Sequence, residues 1–216
     1  MKEQTEQYGK RLFEQTAELL GTNQFHIAGG VLRAYVEDFH LVSSFNSNTP
    51  ILSKDVDCFF NDGAEYFKAK ESLEARGYVV GRERTSSVSM DKDGHTSYDL
   101  VYLAKIFNGS DIIDDFDFTN CCIAIGKEGL LLHHDNFFID VAARNLKINK
   151  VKIPYHTISR AGKFMKNGYT LDNESKVLLF DNAANASYGP YEEDEYTEAA
   201  QAAPNNIEDL GLGGDF

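Results

Sequence analysis

The chain has 216 residues, 42% of them hydrophobic, with 34 acidic and 21 basic side chains and a formal net charge of −13. This is enough to bury a real core, in one domain with an appendage or in two small ones. No apolar run approaches the roughly 20 residues of a membrane span, and Lys2, Glu3, Glu6 and Lys10 leave the N-terminus without the apolar segment of a signal peptide, so the expected location is the cytoplasm.

Lys2 to Leu20 carries apolar residues at helical spacing and ends at Gly21-Thr22-Asn23, which predicts a first helix packing on the core. Phe25 to Ala28 is a short apolar run broken by Gly29-Gly30, after which Val31, Leu32, Tyr35 and Val36 resume with helical spacing. The pattern predicts strand, tight turn, helix. Ser43 to Ser53 reads as an inserted polar loop. Asp55-Val56-Asp57-Cys58 then opens a strand with both carboxylates on one face. Ala64 to Arg76 is a helix closed by Gly77, and Tyr78 to Met90 with Thr96 to Ala104 is a two-stranded hairpin around Asp91-Lys92-Asp93-Gly94. Ser110 is a candidate helix cap over Ile112 and Ile113. Cys121 to Ile125 pairs with Gly129 to Leu132, and Asp135 to Arg144 forms a helix with Phe137, Phe138, Val141 and Ala142 inward. The next helix opens at Pro154 with Ile158, Ala161, Phe164 and Met165 on one face, and Asp172 to Ala184 forms one more.

Charge is unevenly placed. Asn185 to Phe216 holds eight acidic residues and no Lys or Arg, so the rest of the chain carries −5, and this stretch reads as a flexible or partner-ordered tail with Tyr and Leu docking anchors. Arg144 to Lys176 holds eight basic residues against two acidic ones. That region is either an electrostatic site for a triphosphate or RNA, or a solvated face balancing an acidic body. Cys58, Cys121 and Cys122 form neither a ligand spacing nor a disulfide framework and read as core thiols.

The chemistry concentrates in two stretches. Without Cβ atoms, Gly29 and Gly30 let a ligand approach backbone N–H groups at a helix start, an arrangement that cradles phosphate oxygens, with Arg33 about one turn in. Asp55 and Asp57 suit Mg²⁺ or Mn²⁺, which takes oxygen ligands and keeps phosphates and waters in its shell. Phosphoryl or nucleotidyl transfer is the chemistry implied. Asp99 is a lone carboxylate in the apolar run Tyr98 to Leu103; it is either a site residue with a partner or an Asp on the solvent face of an edge strand.

Gly29-Gly30 followed by Asp55-Val56-Asp57 resembles the polymerase-β-type nucleotidyltransferase superfamily, nearest its tRNA nucleotidyltransferase and poly(A) polymerase branch. Arg33 matches that branch, Ala34 stands where it has Asp, and 24 residues, Val31 to Lys54, separate the two motifs. Phe116-Asp117-Phe118-Thr119-Asn120 resembles the segment that closes the branch's catalytic domain, with Asp115 and Phe116 in place of its arginines. Ser159 to Tyr169 resembles the helix that follows. The compact form is similar to nucleotidyltransferase-like proteins of bacteriophages, which would place it in the host cytoplasm.

The resemblance implies an α+β fold, a nucleotidyltransferase-type mixed β-sheet flanked by helices with a small C-terminal helical extension. The expected organisation is an N-terminal helix over 1–23, a catalytic domain over 24–150, a basic extension over 151–184 and an acidic tail over 185–216. It implies Asp55, Asp57 and Asp99 as catalytic and metal-holding residues. Gly29, Gly30, Arg33, Lys54, Asp117, Arg160 and Lys163 are the expected nucleotide-binding residues. The partners expected are a nucleoside triphosphate, RNA or a protein acceptor at 144–176, and a protein docked on the tail. The alternative is a non-catalytic relative, a binding or structural module such as a phage virion or assembly component.

Overall fold

A computed structural model describes residues 1–38, 55–104 and 108–185. The polar loop, Lys54 and the acidic tail beyond 185 lie outside the described residues. The chain runs α1 (Lys2–Leu20), β1 (His26–Ala28), α2 (Gly30–Asp38), β2 (Val56–Phe60), α3 (Gly63–Ala75), β3 (Val79–Glu83), β4 (Ser87–Asp91) and β5 (Tyr98–Tyr102). It continues through α4 (Gly109–Ile113), a 3-10 turn (Thr119–Cys121), β6 (Ile123–Gly126), β7 (Leu131–His133), α5 (Phe137–Ala143), β8 (Asn145–Leu146), α6 (Pro154–Lys166), β9 (Thr170–Leu171) and α7 (Asn173–Asn185).

Seven strands make one mixed sheet in the order β3-β4-β5-β2-β1-β6-β7, and β8 and β9 pair separately in parallel. Within the large sheet β2 and β5 run parallel, and the other neighbours are antiparallel. A parallel pair needs a crossover, and here α3 with the β3-β4 hairpin supplies it. The fold is the expected α+β architecture.

Period-two burial along β2 divides the sheet. Val56, Cys58 and Phe60 are buried in the main core with Ile27, Leu100, Met90, Ile123 and Ile125, where α1, α2 and α3 pack. The opposite face is covered by α4 over β1, β6 and β7, around Ala28, Ala124, Cys122, Ile112 and Ile113. A further core joins Phe118, Leu146 and Ile148 to Ala161, Tyr169, Leu171 and Leu179, so the C-terminal helices pack on the segment that follows the sheet's centre.

Several local expectations shift. Tyr78 to Met90 is two strands, because the chain turns at Arg84 to Ser87, where the Arg84 N–H donates to the Ser87 carbonyl. The cap of α4 is Asn108 rather than Ser110. Its side chain accepts from the Ser110 and Asp111 N–H groups, and Asp111 accepts from the Asn108 N–H in return. Helix α5 starts at Phe137 and buries Phe137, Asp140 and Val141 at i, i+3 and i+4, which leaves Ala142 outward; Asp140 is satisfied by the Thr119 hydroxyl at 2.5 Å and the Asn145 amide at 3.0 Å.

Candidate functional site

The site assembles at one end of the β1-β2-β5 strip. β1 and β2 are antiparallel, with His26 opposite Phe59 and Ile27 opposite Cys58. Continuing that register sets Ala28 beside Asp57 and delivers the Gly29-Gly30 turn to the start of β2. Gly29 has φ +72°, a left-handed backbone that glycine adopts without strain. Its N–H donates to the Ile123 carbonyl and its own carbonyl accepts from Arg33. A Cβ at Gly29 would lie 3.2 Å from the Phe116 ring, and one at Gly30 would lie 3.8 Å from Asp57 Oδ2. The first turn of α2 therefore faces the β2 carboxylates directly.

β2 and β5 are in register, Val56 with Tyr98 and Asp57 with Asp99, and paired residues of neighbouring strands share a face. Asp55, two residues before Asp57, lies on that face too. The structure thus brings together Gly30, Asp55, Asp57 and Asp99. Asp57 is pushed up to about 7, by burial first and then by the charges of Asp99 and Asp55, with Arg33 opposing. Asp99 is raised as well, by burial and by Asp55 and Asp91, against the pull of Arg82 and Arg84. These carboxylates repel one another more than neighbouring bases attract them. Among the described residues, no three His, Cys, Asp or Glu side chains converge closely enough to hold a metal ion unaided.

Arg33 is engaged on several sides. Its Nε lies 2.9 Å from Glu37 Oε1, with the Arg33 side chain only 12% exposed. Its Nη1 donates to Cys121 Sγ at 3.3 Å, and its guanidinium sits 4.5 Å from the centre of the Phe164 ring. Tyr169 donates its hydroxyl to the same Glu37 oxygen at 2.5 Å.

Asp117 and Arg160 also meet, as an ion pair at 2.5 Å in which Asp117 is 5% exposed and Arg160 57%. The Asp117 carbonyl accepts from the Asn149 and Lys150 N–H groups. Asp115 is paired with Lys150 and Lys152, which hold its carboxyl below the usual range against the effect of burial. Lys163 is exposed on the outer face of α6. Sequence reasoning missed Glu37, Cys121, Phe164 and Tyr169. The four-residue spacing of Arg33 and Glu37 on a helix was the available signal for one of them.

Comparison with known proteins follows the same lines. A family model described as "Gabija anti-defense 2 family protein" matches residues 1–144. A search of the curated proteins finds no match. Among solved structures, a CCA-adding enzyme in complex with ATP is 16% identical with a TM-score of 0.59, covering 93% of this chain and 48% of that one. The Thermotoga maritima CCA-adding enzyme complexed with tRNA is 18% identical with a TM-score of 0.53, covering 78% and 40%. A tRNA nucleotidyltransferase complexed with a primer tRNA and an incoming ATP analog is 18% identical with a TM-score of 0.50, covering 93% and 55%. The chain spans about half the length of these structures, and what it shares with them is the nucleotidyltransferase fold.

Proposed function

The chain belongs to the Gabija anti-defense 2 family, and from that premise we propose that it is a divalent-metal-dependent nucleotidyltransferase. The observation that carries this reading is the in-register pair Asp57 and Asp99, set on adjacent parallel strands beside the glycine turn. Mg²⁺ or Mn²⁺ fits the donor set. The oxygen ligands are hard and too few to enclose an ion, which leaves room for phosphate oxygens and water. The mutual repulsion at Asp57 points the same way, since it disfavours the bare carboxylate and a cation offsets it. When bound, the metal polarises the phosphoryl group and stabilises the charge that develops on it.

The chain's own residues divide the remaining work. Asp55 and Asp57 hold the ion and the triphosphate it carries. The N–H groups of the first turn of α2, which have no partner within the helix, bind phosphate oxygens, and Gly30 permits their approach to Asp57. Arg33 adds a positive charge about one turn along. Asp99 orients the acceptor hydroxyl and takes its proton as the oxygen attacks the α-phosphorus; the bond to the β-phosphate oxygen breaks and pyrophosphate leaves. Lys54 belongs to the same proposal as a phosphate-binding residue. Arg160 and Lys163 lie on the basic region through which an RNA 3′ end or a protein acceptor would approach. The family's name directs the search for that acceptor toward components of Gabija, by way of RNA or protein hydroxyls.

The test is calorimetric titration of ATP, CTP, GTP and UTP with Mg²⁺, using the wild type and Asp55→Ala/Asp57→Ala. Metal-dependent binding that disappears in the double variant is expected, and the preferred base identifies itself. Absence of binding to any triphosphate by the folded protein would overturn the reading. It would favour a non-catalytic binding module, consistent with Asp115 and Phe116 standing where the related enzymes have arginines.

A further inference from the structure

We infer that Glu37 and Tyr169 are positioning residues for Arg33, so that the C-terminal extension completes the phosphate-binding side of the site through one chain of contacts, a hydrogen bond from Tyr169 to Glu37 and an ion pair from Glu37 to Arg33. The inference rests on the reading of Arg33 as a phosphate-binding residue and says what fixes it there. An arginine has several flexible torsions, and ordering them costs free energy each time a ligand binds unless the protein has done so already. Here three different surfaces do so. Glu37, one turn along α2, forms an ion pair with Arg33, Oε1 lying 2.9 Å from Nε. Cys121, in the turn before β6, takes Nη1 at 3.3 Å. Phe164 of α6 lies against the flat face at 4.5 Å.

Arg33 stays close enough to Asp57 for its charge to act on that carboxyl. Glu37 alone would be a loose clamp, because a surface i,i+4 pair contributes little. Tyr169 changes that. It is 5% exposed, follows α6 by three residues, and donates to the same oxygen that lies 2.9 Å from Arg33 Nε. A carboxylate oxygen held by a buried hydroxyl and drawn to a guanidinium charge keeps one rotamer, and it keeps the charge of Arg33 beside it. Phe164 packs edge-on against both Tyr169 at 5.3 Å and Phe118 at 5.6 Å, so the ring over Arg33 is itself fixed by the second core. The extension therefore reaches the site by touching the residue that faces it.

The test separates this inference from the reading beneath it. In metal-free, nucleotide-free protein, hydrogen exchange of the Arg33 Nε–H is followed by NMR in the wild type, Tyr169→Phe and Glu37→Gln, and Arg33→Lys assigns the resonance. The clamp predicts a slowly exchanging Nε–H in the wild type and exchange about tenfold or more faster in both variants. The Mg²⁺-ATP dissociation constant should rise by about three- to tenfold in Tyr169→Phe, the worth of one hydrogen bond, with the melting temperature nearly unchanged. Equal exchange rates and equal affinity in the three proteins would overturn the inference. If the wild type binds no triphosphate, the nucleotidyltransferase reading fails, and the exchange rates alone still decide whether Glu37 and Tyr169 position Arg33.

Discussion

Replacing Asp57 with Asn is expected to make the metal-free protein more stable while removing the metal-dependent triphosphate binding proposed for it. Asp57 is held at about 7 against an ordinary carboxyl value of 3.8, by burial and by Asp99 and Asp55. At about 1.36 kcal/mol per decade of proton affinity, that difference corresponds to roughly 4 kcal/mol carried by the ionised form. An amide of the same shape carries no charge but is still a half-buried polar group, so the gain expected is roughly 2 kcal/mol at pH 7.5, or about 4–8 °C in Tm for a chain of this size. The folded state binds the Asp57 proton more tightly than the unfolded chain does. Stability from this group is therefore complete below about pH 4 and is lost as pH rises through about 7. Urea denaturation in EDTA, repeated at half-unit steps from pH 4 to 8, reads the difference between wild type and Asp57→Asn. The two curves should diverge steadily across that window, with the variant higher at the alkaline end. A variant less stable than the wild type, or a constant gap across the window, would refute the claim that the fold holds an ionised carboxylate disfavoured by burial and by its acidic neighbours.

The same variant gives a second outcome, because a ligand that binds only the folded state stabilises it in proportion to occupancy. Mg²⁺-ATP at a hundredfold excess over its dissociation constant should contribute about 2.7 kcal/mol to the wild type and nothing to Asp57→Asn, read as a melting shift. Arg160→Leu leaves Asp117 buried without its ion-pair partner. Because Arg160 is largely solvated, the cost expected is about 1–3 kcal/mol in denaturant, and Arg160→Leu/Asp117→Asn should recover most of it. Gly29→Ala should cost about 1–2 kcal/mol from its left-handed backbone alone, plus the approach to the Phe116 ring at 3.2 Å. In a Phe116→Ala background only the backbone part should remain, which a double-mutant cycle by thermal melts resolves.

Much of the architecture is legible in the sequence where local chemistry and burial agree. Gly21 ends α1 with φ +68°, and Pro154 opens α6. The alternation of Asp55, Val56, Asp57 and Cys58 carries straight into the buried and open faces of β2. The misreadings come where two local signals compete. The turn at Arg84 to Ser87 contains no Gly, Pro, Asn or Asp, and its only mark is the weaker Ser/Thr signal of Thr85, Ser86 and Ser87. Asn108 and Ser110 are both good caps, and the choice falls to Asn108 because Asp111 sits three residues on to answer it. In α5 the buried stripe is Phe137, Asp140 and Val141 at i, i+3 and i+4, and reading Ala142 as inward instead of Asp140 comes from following the apolar residues rather than that spacing. The surroundings of Arg33 show the deeper limit. Its pairing with Glu37 follows from helical spacing, but Tyr169, 132 residues from Glu37, is brought there by the packing of the second core, and no local pattern encodes that.

The distribution of the two cores explains why the polar site can exist at all. Unpaired carboxylates are tolerated only where the surrounding packing does not depend on them. The main core lies on the other side of the sheet, built from Val56, Cys58, Phe60 and Leu100, the residues that alternate with Asp57, Phe59 and Asp99. The same strands that carry the charge on one face are thus anchored by their other face, and the in-register β2-β5 pairing fixes how far apart the carboxylates stand. The glycine turn is set by β1, which also faces that core through Phe25 and Ile27. Arg33, in contrast, depends on the second core, through Phe164 and Tyr169. The carboxylates and the glycine turn are therefore as rigid as the sheet, whereas Arg33 is as rigid as the contact between the two cores. Substitutions buried in the C-terminal helices should consequently act on nucleotide affinity before they act on the carboxylate site.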